Sequence, residues 1–151
     1  MVLLAALAVA VAPAPCQAGQ LSAHVRQSSG AAGTIAVSIA FRNTSKTDCS
    51  LAGYPSLQIP GVQTRTRHGG LAILNAPAKR VTLRPGGYAS LLVAYSDIPS
   101  GSGKSGATSC LIARALRVSP PRMTVSVRIF RCGKGVLEIR ESPFLAGLRN
   151  V

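Results

Sequence analysis

The sequence predicts an all-β sandwich, and three observations carry that expectation. Apolar residues alternate with small or polar ones along several runs, as in strands with one buried face. Glycines and prolines punctuate the chain at short intervals between these runs. No stretch sustains the spacing of a long amphipathic helix. Seven to nine short antiparallel strands in one domain follow from this pattern.

Taken in order, LSAHV (21–25) is a first, weak strand. TIAVSIAF (34–41) is the clearest one: Ile35, Val37, Ile39 and Phe41 point one way, and Ala36, Ser38 and Ala40 the other. A polar turn, Thr44 to Asp48, follows it. Gly53 and Pro55 then set up an extended Tyr54, so that SLQI (56–59) starts a new strand. RHGG between QTRT and LAIL (71–74) reads as a hairpin tip. RVTL (80–83) precedes Pro85-Gly86-Gly87, and YASLLVAY (88–95), apolar on both faces, reads as a central strand. SGSGKSGATS (100–109) is a low-complexity loop. ALRVS (115–119) is a further strand, although CLIARAL (110–116) also fits a short helix. MTVSVRIF (123–130) repeats the alternation, with Met123, Val125, Val127 and Ile129 inward. VLEIR (136–140) is the last strand.

Composition sets the frame for these elements. The chain has 151 residues, 47% of them hydrophobic but only 4% aromatic and none Trp, so the core is built from Val, Leu, Ile and Ala. Lys and Arg number 17 against 4 acids, a formal charge of +13. Most of the cations are Arg, which makes two-pronged contacts with phosphate or carboxylate. Such a balance implies attraction to anionic surfaces, or else a codon bias towards Arg, Ala and Gly.

The N-terminal run, MVLLAALAVA, is too short to span a bilayer and resembles the apolar region of a secretory signal, although no basic residue precedes it. Residues 1–10 are therefore expected to be a signal peptide, 11–15 a linker and 16–151 the folded domain. A buried N-terminal strand or helix is the other reading. A lipid anchor is disfavoured because Pro15 precedes Cys16. Cys16, Cys49, Cys110 and Cys132 survive cleavage after Ala10, and an even count in an exported chain implies two disulfides. Three connectivities are open. Cys16–Cys49 and Cys110–Cys132 are expected because each joins segments close in sequence.

The segment N-T-S-x-x-x-C-x-L-x-G-Y-P, residues 43 to 55, resembles the hallmark of an actinobacterial secreted domain family of unknown function, number four-two-three-two. Val81-Thr82-Leu83, Pro85-Gly86-Gly87, Leu116-Arg117-Val118, Pro120-Pro121 and the order of the cysteines agree with it over roughly residues 16–145. The resemblance implies an immunoglobulin-like sandwich, export and attachment to the cell envelope. It implies no reaction and no catalytic residues.

The chemistry-bearing inventory is thin. The acids are Asp48, Asp97, Glu138 and Glu141, and the histidines are His24 and His68. Glu138 and Glu141 fall on opposite faces of a strand and cannot act as a carboxylate pair. Two histidines without clustered Cys or carboxylates make a poor metal site. Gly103-Lys104-Ser105 lacks the first glycine of a phosphate-binding loop, since Ile98 stands there. Neither catalysis, nor a cofactor, nor a metal is expected. Asn43-Thr44-Ser45 is formally a glycosylation sequon and reads as a polar turn.

The basic residues are the remaining lead. Arg65, Arg67, Arg114, Arg117, Arg122, Arg128, Arg131 and Arg140 are candidates for anion binding, and if their faces adjoin they make one cationic sheet. Aromatic residues are too few and dispersed for a nucleic-acid reader. The expected partner is an anionic wall polymer, a lipid headgroup or another envelope protein, met outside the cell. Two other readings stand beside this one. A secreted enzyme would require His24, His68, Asp48 and Asp97 to converge. A protease-inhibitor-like effector would act through the loop at 99–108.

Overall fold

A computed structural model describes residues 11–96, 110–132 and 135–151. The expected signal segment, Asp97, the loop at 99–108 and the Gly103-Lys104-Ser105 stretch lie outside the described residues.

The alternating runs form three sheets around one core. The largest contains β1 (Leu21–Ala31), β2 (Thr34–Asn43), β7 (Tyr88–Ser96), β10 (Leu137–Glu141) and β5 (Thr64–His68), in the spatial order β1-β2-β7-β10-β5. A short β11 (Leu145–Ala146) also pairs with β7. Facing this sheet is a three-stranded one, β4 (Ser56–Gln58), β8 (Cys110–Ser119) and β9 (Met123–Cys132), in the order β4-β8-β9. A small pair, β3 (Cys49–Leu51) and β6 (Val81–Leu83), closes one end. Neighbouring strands run antiparallel except β5 and β10, which are parallel.

Period-two patterning decides what enters the space between the layers. Ile39, Phe41, Leu91, Val93 and Ile139 come from the large sheet, Leu57, Leu116, Val118, Val125 and Ile129 from the facing one, and Leu51 and Leu83 from the small pair. Phe144, just beyond β10, sets its ring edge-on to Phe41 with centroids 5.4 Å apart. β7 is central, as its two apolar faces predict. Its outer face, with that of β2, is covered by Leu74 of a 3-10 turn (Ala72–Leu74). The C-terminal tail covers the same face: the buried Ser38 hydroxyl donates to the Arg149 carbonyl and that of Ser90 to the Gly147 carbonyl.

Three expectations are corrected. LAIL is not a strand, and RHGG is not a hairpin tip. After β5 the chain turns through Gly69 and Gly70, both at positive φ, and crosses the sheet to deliver Leu74. Four apolar residues without alternation do not distinguish a buried strand from a turn that plugs a surface. CLIARAL is strand, not helix. A bulge between Ala113 and Ala115 switches the exposed positions from Ile112 and Arg114 to Arg117, and that break in phase imitates helical spacing.

Local chemistry fixes the connections. β1 and β2 meet in a two-residue turn, Ala32-Gly33, with both φ angles positive at 50° and 76°, the geometry that matches strand twist. The buried Asn43 organises the next turn. Its amide donates to the Thr47 carbonyl at 2.8 Å and the Leu83 carbonyl at 2.9 Å, and its Oδ1 accepts from the backbone and hydroxyl of Ser45. That side chain has both amide hydrogens engaged inside the protein, which explains why the Asn-Thr-Ser sequence is a turn device. Cys16 bonds to Cys49 and Cys110 to Cys132. The first bridge holds the N-terminal segment beside β3, where the Cys16 amide donates to the Ser50 carbonyl. The second joins directly opposed residues of β8 and β9.

The two long edges of the sandwich differ. At one, Thr66 Oγ1 accepts from the Leu57 amide and donates to the Leu57 carbonyl, and Thr64 Oγ1 accepts from the Ile59 amide, so hydroxyls of β5 stitch it to β4. At the other, β1 and β9 share no ladder.

Candidate functional site

Two constellations emerge, one on the outer face of the β4-β8-β9 sheet and one at the end of β5 and β10. The outer face is built by the residues that alternate with the core. Thr124, Ser126 and Arg128 of β9 are exposed, as are Arg117 of β8, Ser56 and Gln58 of β4, and Arg122 in the turn between β8 and β9. Gln58 lies opposite Arg117, and Arg117 opposite Thr124. Ser56, Gln58, Arg117, Ser119, Arg122 and Thr124 line a shallow groove of about 440 Å³. Arg114 is exposed at the bulge, and beyond it Ile112 and Phe130 form an exposed cross-strand pair.

The electrostatics of this face are one-sided. Among the described residues, Arg114, Arg117, Arg122 and Arg128 make no ion pair, and none of the described carboxylates stands among the strands of this sheet. Glu138, on β10, is held by Arg67 at 2.9 Å and Arg140 at 3.0 Å. Arg65, Arg67 and Arg140 therefore belong to the other sheet, and two of these three share the single Glu138 carboxylate. Arg131 is buried on the inward phase of β9. The eight arginines do not form one cationic surface; four of them do. The reason is topological: β5 joins the large sheet through β10, so its outward residues face away from those of β8 and β9.

The second constellation was not foreseen. Leu137, Ile139 and Glu141 share the inward phase of β10, so the chain places a carboxylate at a core position. His68 lies beside it in the parallel register, and His68 Nδ1 stands 2.9 Å from Glu141 Oε1. Tyr54 of the Gly-Tyr-Pro segment stacks on the His68 ring at 4.2 Å. Glu141 is fully buried, and its Oε2 has no hydrogen-bond partner among the described residues. Burial pushes its carboxyl up to about 8. A neutral carboxyl accounts for both facts: Oε1 is hydrogen-bonded with His68 Nδ1, and the unpartnered Oε2 carries no charge, so it is far cheaper to bury than a carboxylate oxygen. The inward alternation of Thr64, Thr66 and His68 was the signal that could have located it.

Of the four residues required for an enzyme, Asp97 lies outside the described residues and the other three do not assemble. His24 lies on β1 and His68 on β5, the opposite edges of the same sheet. Four strand spacings separate them by roughly 19 Å. His68 takes Glu141 as its acidic neighbour, and Asp48 sits in the turn before β3. Glu138 and Glu141 face opposite sides of β10, as their spacing predicts. Among the described residues no three His, Cys, Asp or Glu side chains cluster as metal ligands, and no helix is long and apolar enough to cross a membrane.

The fold and these sites define a disulfide-bonded, all-β sandwich with one basic sheet face. Residues 16–141 match the family described as Domain of unknown function (DUF4232), and the chain belongs to that family. The match runs from the first cysteine to the buried Glu141. No curated protein and no solved structure matches the chain. Two disulfides suit an oxidising, extracellular setting.

Proposed function

We propose that the protein is a secreted or envelope-associated, non-catalytic module that binds an anionic polymer on the outer face of the β4-β8-β9 sheet. The observation that carries this reading is the exposed set Arg114, Arg117, Arg122 and Arg128, free of carboxylate neighbours among the described residues and interspersed with Ser, Thr and Gln side chains. Hydroxyls and guanidinium groups on a flat sheet suit an extended chain of phosphates or carboxylates better than a compact ligand. Phe130 and Ile112 add an apolar strip on which a sugar ring can lie.

Retention of the purified domain on isolated cell wall, measured against salt, tests the proposal. Binding should weaken linearly with the logarithm of salt concentration. Replacing Arg117 and Arg122 by Gln should flatten that slope by about two contacts while leaving thermal stability unchanged. Replacing Arg67 and Arg140 should leave the slope as it is. Equal slopes in both double variants would overturn the assignment to this face.

A further inference from the structure

We infer that the cleft between the two main sheets at their open β1–β9 margin is a binding site for the tail of a long-chain carboxylate, with Arg128 receiving the carboxylate at its mouth. This inference shares Arg128 with the outer-face reading but does not rest on it, since its ligand enters at the β1–β9 margin and the Arg117 and Arg122 variants should leave it unchanged.

The cavity measures about 410 Å³, within the range of small-molecule sites, about 300–1,000 Å³. An engineered apolar cavity of about 150 Å³ already stays dry and takes up benzene. Its floor is the packed core, Val37, Ile39, Val93 and Tyr95 from one sheet and Leu116 and Ile129 from the other, and its open volume lies above that floor, between Val25 and Val127. Apart from the Tyr95 hydroxyl these side chains are aliphatic and offer no hydrogen bond to water, so an apolar guest is favoured over solvent.

The fold leaves this space for identifiable reasons. Among the rings of the core, Tyr95 reaches this margin while Phe41 and Phe144 pack against each other. β1 is bulged between Val25 and Gln27, and β8 between Ala113 and Ala115; a bulge bends its strand. β1 and β9 are edge strands without a ladder between them, whereas the opposite edge is stitched by Thr64 and Thr66. The mouth therefore opens between β1 and β9, flanked by Val25 and Val127, with Ser28, Ser126 and Arg128 as its polar rim.

The rim selects the head of the ligand. Among the described residues Arg128 makes no ion pair and no carboxylate lines the cavity. A guanidinium matches a planar carboxylate through two parallel hydrogen bonds, and serine hydroxyls supply the remaining donors. An apolar tail with one anionic end is the ligand chemistry that satisfies walls and rim together.

The test is a fluorescence titration of the purified, disulfide-bonded protein with cis-parinaric acid, followed by displacement with saturated fatty acids of increasing length. The expected result is saturable one-to-one binding, with affinity rising about fourfold per methylene until the cavity is full. Laurate should displace the probe about tenfold better than dodecanol, and Arg128→Gln should abolish that preference. Val127→Trp and Val25→Trp, each plugging the mouth from one side, should weaken binding at least tenfold at unchanged melting temperature. No fluorescence gain, or full binding in whichever of the two Trp variants melts like wild type, would overturn the cavity. Dodecyl phosphate binding more tightly than laurate would overturn the carboxylate assignment.

Discussion

Replacing Glu141 with Gln isolates the cost of holding a carboxyl group in the core. The side chain is fully buried, and burial raises its carboxyl from 4.5 to about 8. Between those two values the folded chain keeps a proton that the unfolded chain has released. Stability therefore falls as pH rises through this window, by about 1.4 kcal/mol per pH unit. The protonated contribution is fully present below the unfolded value of 4.5 and is lost as pH rises through about 8. Between about pH 5 and about pH 7.5 the loss is on the order of 3 kcal/mol. Gln has the same shape, cannot ionise, and its amide can still donate to His68 Nδ1. The variant should match wild type within about 1 kcal/mol near pH 5 and exceed it by about 3 kcal/mol near pH 7.5. In urea unfolding that difference moves the midpoint by roughly 1–2 M. Subtracting the two pH profiles removes the titrations they share. A flat difference across the window would refute the argument that burial holds this group neutral.

Two further predictions concern the turns. Asn43→Ala removes four hydrogen bonds and leaves the buried Leu83 carbonyl without its amide donor, which should cost about 2–4 kcal/mol in chemical denaturation; a loss below about 1 kcal/mol would show that water replaces the amide. Ala32→Asn keeps the turn geometry while relieving a non-glycine residue at φ 50°, and should raise stability by roughly 0.5–1 kcal/mol in a thermal or urea melt.

Legibility in the sequence followed the strength of alternation. β2 and β9 were readable because their period of two persists for eight residues, and β7 because a continuous apolar run between turn signals marks a strand buried on both faces. β5 was not, because Thr64 and Thr66 are polar on their inward side and half-buried for hydrogen bonding rather than for apolar contact, while His68 stays exposed beside Glu141. The same gap hid the second constellation: Glu141 was visible as a strand residue, but its acidic type concealed that it continues the inward phase of Leu137 and Ile139. The arginines were legible one strand at a time. Their division between two faces was not, since it depends on β5 lying parallel to β10, a long-range pairing that no local pattern encodes.

The hydroxyls of Thr64 and Thr66 have a consequence for self-association. A sheet margin with free amides and carbonyls is a template on which another chain can extend. Here the outward main-chain groups of Leu57 and Ile59 are already occupied by side chains from the adjoining layer. An incoming strand would have to displace them, so that flank resists fibre growth without needing a charged or proline guard.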